Sequence, residues 1–214
     1  MAMYDAFAKT FSSSRKNMKW WEIEYFLDFV HQSDSDVSLL DVWCGNGRLL
    51  DSIQKKDIQY LWIDSSSWLL DQAKKLHPNH RFLHLDMCDI DTLEDQYDFI
   101  FFIASFHHLD TPKKREKVLS GVEKLLKKDW LLCMTNWALD SKINTEKYSK
   151  SQIPNTVNFH GWTDYSIKLG EHTRYYHCFS LEELEYHIQN SWLILQENRL
   201  FENKKNFITI AKKS

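Results

Sequence analysis

Glycine is scarce in this chain. Its 214 residues include five glycines and nine tryptophans, whereas average glycine usage of about 7% would give roughly 15. With three prolines, no internal repeat and no low-complexity tract, nothing points to a fibrous or disordered class. The four cysteines, Cys44, Cys88, Cys133 and Cys178, are far apart, with no C-x-x-C pair and no histidine at zinc spacing. That argues against a metal site and for reduced thiols in a cytoplasmic protein. The longest apolar run, Phe99–Phe106, is far short of a membrane span, and the opening MAMYDAFAKTF lacks the apolar core of a secretory leader. A net charge of −3 excludes a protein held to nucleic acid by charge alone, although a local basic face is compatible with it.

What is present is ordinary for a globular chain: 43% hydrophobic and 27% charged residues, in a length that favours one domain. Residues 4–31 read as helix, with Ile23, Phe26, Leu27 and Val30 at helical spacing. Strands are expected at 37–42, 58–63, 81–85, 97–103 and 131–135, and helices at 48–55, 66–76 and 112–127. The run YDFIFFI suits a parallel strand buried on both faces. A helix at 181–190 and two strands, 193–202 and 206–212, close the chain as an antiparallel pair. This β-α alternation implies a Rossmann-like, doubly wound α/β fold. The stretch 138–176 reads as one long irregular segment, a lid or an insertion.

In such sheets ligands bind beyond the carboxyl ends of the strands, so the strand ends carry the functional signal. The first ends in LLDVWCGNGRLL, residues 39–50, which is a buried strand running through a glycine turn into a helix. The second ends at Asp64-Ser65, 23 positions after Asp41, where an acid suits both hydroxyls of a ribose. The third ends at Asp86-Met87, an acid and an apolar neighbour able to bracket an adenine. The fourth ends in Ala104-Ser105-Phe106-His107-His108. Any one of these is weak, since a strand-end aspartate is often only a helix cap. A dinucleotide site fits less well, because N-G-R-L-L follows the turn and the third glycine of G-x-G-x-x-G is missing.

Residues 36–135, with D-V-x-C-G-N-G-R as first motif, resemble the core of class I S-adenosylmethionine-dependent methyltransferases. The resemblance implies a mostly parallel seven-stranded sheet with an antiparallel C-terminal strand. It divides the single domain into a cap (1–35), a cofactor core (36–137), a lid or substrate insertion (138–178) and a C-terminal helix with β-hairpin (179–214). The chain is also similar to a narrower group, the tRNA methyltransferases that esterify carboxymethyluridine at the wobble position. That similarity rests on Tyr4-Asp5-x-x-Ala8-x-x-Phe11 with Arg15, on Ala104-x-x-His107-His108-Leu109, and on Arg174-Tyr175-Tyr176-His177-x-Phe179 before Glu182-Glu183-Leu184. By resemblance, Asp41, Trp43, Cys44, Gly45, Gly47 and Ala104 line the methionine end of S-adenosylmethionine. Asp64 and Ser65 take the ribose, Asp86 and Met87 the adenine, and Tyr4 and Arg15 close over the cofactor. Arg174, Tyr175, Tyr176 and His177 face the substrate. The eukaryotic enzymes of this group work with a small zinc-binding activator, on which this sequence is silent.

A carboxylate acceptor is ionised at neutral pH and needs no general base, and Arg174 would orient it. For a hydroxyl or amine acceptor His107 is the first base candidate, although a hydrogen-bonded strand-end pair is the plainer reading of His107-His108. The basic pairs at Arg15-Lys16, Lys113-Lys114-Arg115, Lys127-Lys128 and Lys204-Lys205 are compatible with a weak tRNA face. Two alternatives stay open: a small-molecule O-, N- or C-methyltransferase, and a non-catalytic methyltransferase-like module that binds RNA or a partner.

The non-catalytic alternative arises from Trp43, which stands where the motif has its first glycine. Trp62, Trp68, Trp130 and Trp192 likewise stand where a glycine or small residue is expected, each position asking for positive φ or close backbone approach. Reassigning all five would leave four tryptophans and ten glycines. Some bacterial lineages read UGA as glycine where a common alternative table reads tryptophan, so the expectation is a bacterial enzyme whose glycines have been written as tryptophan.

Overall fold

The computed structural model describes residues 20–33, 36–53, 58–154, 164–169 and 171–214. Tyr4, Arg15 and the start of the expected first helix lie outside them. Helix α1 (Trp21–His31) buries Ile23, Phe26, Leu27 and Val30, the four positions its periodicity marks. Strand β1 (Val37–Val42) follows, buried along its whole length. Next come β2 (Ile58–Asp64), α2 (Ser67–Leu76), β3 (Arg81–His84) and β4 (Tyr97–Ile103). The Ser66 hydroxyl caps α2 by accepting the Leu69 N–H. The helix expected after the glycine turn is shorter than read, a 3-10 turn over Arg48–Ser52. Helix α3 (Pro112–Leu125) starts on a Thr111 cap with proline in its first turn and runs straight into β5 (Leu126–Trp137).

The main sheet has seven strands in the order β3-β2-β1-β4-β5-β10-β9, with β9 (Leu193–Leu200) and β10 (Asn206–Lys213) closing the chain. Strands β1 to β5 pair parallel, and β10 runs antiparallel to both β5 and β9. Alternate residues of β1 and β4 feed two cores. Leu40, Val42, Ile100 and Phe102 pack with Val118, Leu119 and Val122 of α3 and with Leu184 and Ile188 of α5 (Leu181–Gln189). Leu39, Phe99 and Phe101 pack on the other face with Phe26, Leu27 and Val30 of α1. Burial on both faces explains why these strands read as continuous apolar runs.

The stretch expected to be irregular is a second small unit. Helix α4 (Lys142–Tyr148) leads to a three-stranded antiparallel sheet of β6 (Gln152–Ile153), β7 (Asp164–Leu169) and β8 (His172–Tyr176). Its core gathers Leu139, Tyr165, Ile167, Tyr176 and Cys178. Alternation is present in the sequence of both longer strands, but so many polar residues interleave it that it read as loop.

Candidate cofactor and acceptor site

The strand order reverses at β1, and the residues at the ends of β1, β2, β4 and β5 converge there. The turn after β1 is tied to β2 by the N–H groups of Trp43 and Cys44, which donate to the Ile63 carbonyl at 2.8 and 3.1 Å. Gly45 and Gly47 lie in the left-handed region at φ 61° and 82°, which only glycine enters without strain. The Gly45 N–H donates to Asp64 Oδ2 and the Ser66 N–H to Asp64 Oδ1, each at 2.8 Å. Asp64 is thereby fixed at the mouth of the turn. Ser65 offers its carbonyl to His84 Nε2 at 2.9 Å.

Burial pushes the Asp41 carboxyl up to about 7, with Arg48 pulling it down and Asp64 pushing it further up. Asp64 is raised to about 6 by burial, against the two backbone hydrogen bonds and the charge of Arg174. Two buried carboxylates with raised pKa favour a cationic ligand, which would draw off their protons. Cofactor affinity is therefore expected to rise with pH through about 6–7, and titration calorimetry across that window checks it. A flat profile would remove these two groups from cofactor binding.

The cavity is lined by Asp41, Trp43, Cys44, Gly45 and Asp64 on one side and by Ala104, His107, Arg174 and Tyr176 on the other. Ala104 is held by its N–H to Thr135 Oγ1 at 2.8 Å. His107 is fully buried, and its Nδ1 accepts the Trp137 N–H at 3.3 Å, which leaves the proton on Nε2. Arg174 is 8% exposed and places its guanidinium 5.4 Å from the Trp43 ring and 5.7 Å from that of Tyr176. Tyr176 stacks on Trp137 at 4.8 Å and on His107 at 5.3 Å. Trp20, Ser105 and Trp137 also line the cavity, and the sequence reading gave none of the three a site role. The signal for Ser105 was its place in the strand-end string, and its buried hydroxyl has no partner among the described residues. Trp137 belongs to a strand that runs two residues further at its C-terminal end than read.

Four expected site residues do not line this first cavity, although Tyr175, Met87 and Asp86 border a second cleft. His177 does not face the cavity. It is fully buried, with Nδ1 2.9 Å from Asp164 and Nε2 2.8 Å from Glu183, because polar partners far along the chain capture both ring nitrogens. The Tyr175 hydroxyl turns the same way and donates to Asp164 at 2.5 Å. Met87 sits in the main core with no exposed surface. The Asp86 carboxylate accepts the Cys88 N–H at 2.8 Å, capping the next turn. Arg115, read as part of a basic face, is buried beside Glu183 at 3.6 Å. Among the described residues no three His, Cys, Asp or Glu side chains gather as a metal site, and no helix is long and apolar enough to cross a membrane.

A second cleft of about 300 Å³, lined by Asp86, Met87 and Cys88 among others, lies beyond the first, and Trp43 borders both. The first keeps only about 50 Å³, room for a few waters rather than a nucleoside. The polar groups at the ends of β1 and β2 suit a nucleoside cofactor. The Trp43 indole, stacked on His108 at 5.4 Å, does not.

Residues 39–129 match the family described as a methyltransferase domain. The fold overlays an S-adenosylmethionine-dependent methyltransferase from Clostridium acetobutylicum with a TM-score of 0.72, at 14% identity and 99% coverage of both chains. The overlay shows that the fold is the one seen in class I S-adenosylmethionine-dependent methyltransferases, and the matched stretch of residues 39–129 is similar to a methyltransferase domain. Within that class the chain is similar to the tRNA (carboxymethyluridine(34)-5-O)-methyltransferase of Saccharomyces cerevisiae, 27% identical over 146 residues, 68% of this chain and 50% of that one. It is also similar to tRNA (carboxymethyluridine(34)-5-O)-methyltransferase alkbh8 of Xenopus tropicalis, 30% identical over 153 residues, 69% of this chain and 23% of that one. The chain thus spans half the length of the yeast relative and less of the frog one.

Proposed function

We propose that this domain esterifies the carboxylate of a carboxymethyluridine in tRNA. Arg174 carries the reading: a buried guanidinium at the cavity wall, aimed between two aromatic rings, suits a planar carboxylate held by two parallel hydrogen bonds. The stack of His107, Tyr176, Trp137 and Tyr148 beside it offers a surface for a splayed base. When bound, S-adenosylmethionine supplies an already activated methyl group. The protein's share is then positioning and a dry site. Asp64 would hold the ribose, Asp41 and the Gly45 turn the methionine end, and Arg174 the acceptor. His107, with its proton on Nε2, serves to support the Tyr176 ring rather than to take a proton. The exposed lysines Lys113, Lys128, Lys204 and Lys205 leave a modest basic surface for RNA.

Methyl transfer from labelled S-adenosylmethionine to bulk tRNA, followed by nucleoside analysis, tests this with glycine at position 43. A methyl ester on the wobble uridine is expected. Arg174→Lys should lower kcat/KM about a hundredfold, equivalent to roughly 2–3 kcal/mol for a charge-assisted pair, with cofactor affinity nearly unchanged. Label absent from tRNA but present on a small acid would move the assignment to a small-molecule acceptor.

A further inference from the structure

The backbone at two tryptophans is backbone that only glycine adopts freely. Trp43 has φ 65° and Trp192 φ 62°. An L residue in this region bears about 1–2 kcal/mol of strain, and a bulky one there is a conformational outlier. Favourable packing could offset such strain at a buried site. Trp192 has no such offset, being 84% exposed just past the end of α5, where a left-handed glycine habitually closes a helix. At Trp43 the indole packs, but it does so inside the cofactor cleft.

Two more positions add separate observations. The Trp62 ring lies under the cofactor turn, so close that a Cβ on Gly47 would come within 2.0 Å of it. Its indole N–H is buried with no acceptor among the described residues, an arrangement that is expensive in an apolar interior. Trp130 directly follows Asp129, which is left-handed at φ 65°, and an aspartate-glycine pair is the usual chemistry of such a turn. Trp68 differs: it lies in the first turn of α2, where the backbone places no demand for glycine. Trp137 differs again, since its ring stacks on Tyr176 and lines the cavity.

We infer that positions 43, 62, 130 and 192 are glycine in the protein as its cell makes it, and that the gene specifies them with UGA codons read there as glycine. The same reading explains the excess of tryptophan and the shortage of glycine together. It also removes the Trp43 indole from the cofactor cleft, and it rests on backbone and packing geometry, independent of which acceptor the enzyme uses.

The test is the codon at each position, together with peptide masses of the protein isolated from its native source. The expected result is UGA at 43, 62, 130 and 192, UGG at 137, and glycine masses in the corresponding native peptides. UGG at 43 or 192, or tryptophan in the native peptide covering either, overturns the inference and leaves the non-catalytic module as the reading of this chain. Glycine masses in a protein that fails to bind S-adenosylhomocysteine would sustain the inference and defeat the enzyme assignment instead.

Discussion

Replacing Trp43 with glycine in the chain as written should tighten S-adenosylhomocysteine binding about a hundredfold. The indole borders both clefts and leaves the inner one about 50 Å³, so a nucleoside ligand must first expel it. A tryptophan buries roughly 150–250 Å². At about 25 cal/mol per Å² a half-buried one resists expulsion by about 2–3 kcal/mol, which is that hundredfold. The substitution also suits φ 65°, which glycine occupies without strain. Calorimetry on the two proteins measures the change. Trp137→Gly is the control: it widens the cavity from the acceptor side, away from the cofactor turn, and should not improve cofactor affinity. Equal affinity of the chain as written and its Trp43→Gly variant would show that the indole is no obstacle.

The second large effect is expected at Glu183. This carboxylate stands between two cationic groups, 2.8 Å from His177 Nε2 and 3.6 Å from Arg115 Nη2, with His187 at 3.5 Å. Asp164 meets the other nitrogen of His177, so both ring nitrogens donate and the imidazole is held as a cation. Burial disfavours that charge, but the hydrogen bonds to Asp164 and Glu183 outweigh it and raise the pKa of His177. Burial would also raise Glu183, yet His177, His187 and Arg115 together hold it at about 2. Glu183→Ala would strand two buried cations and is expected to remove about 3–5 kcal/mol of stability. For a chain of this size that is on the order of 10 °C in Tm, measurable by calorimetry; a change of only a degree or two would mean that the cluster relaxes around the loss. The pH dependence follows from the signs. The Glu183 contribution is complete above the ordinary carboxylate range and fades as pH falls through about 2. The His177 contribution is complete below the ordinary imidazole range and fades as pH rises through its elevated value. Glu183→Gln should weaken the alkaline slope, leaving the part that the Asp164 hydrogen bond supplies.

Local pattern made the strand ends of the main sheet legible and left the small sheet obscure. Strand β4 was readable residue for residue, because burial on both faces writes an unbroken apolar run. Asp41, Gly45, Gly47 and Asp64 were readable because each sits at a strand end or in a turn, where position alone fixes its surroundings. His177 was not: its partners Asp164 and Glu183 are 13 and 6 positions away, and no periodicity links them. Arg115 was misplaced for the same reason, since a helical arginine carries no local sign of burial. The hairpin of β7 and β8 was missed because its buried residues Tyr165, Ile167, Arg174 and Tyr176 alternate with polar ones in a segment too rich in charge to read as sheet.

That hairpin has a consequence beyond its own residues. It belongs to a separate small sheet, yet the His177 N–H donates to the His107 carbonyl at 2.7 Å and the charged cluster fastens it to α3 and α5. Arg174 and Tyr176 are therefore presented to the cavity by a piece that shares no strand with the sheet carrying Asp41 and Asp64. Under the proposed function, acceptor choice and cofactor recognition would therefore sit on separate pieces of backbone, so that substitutions in one short hairpin would alter what is methylated and leave the cofactor side in place.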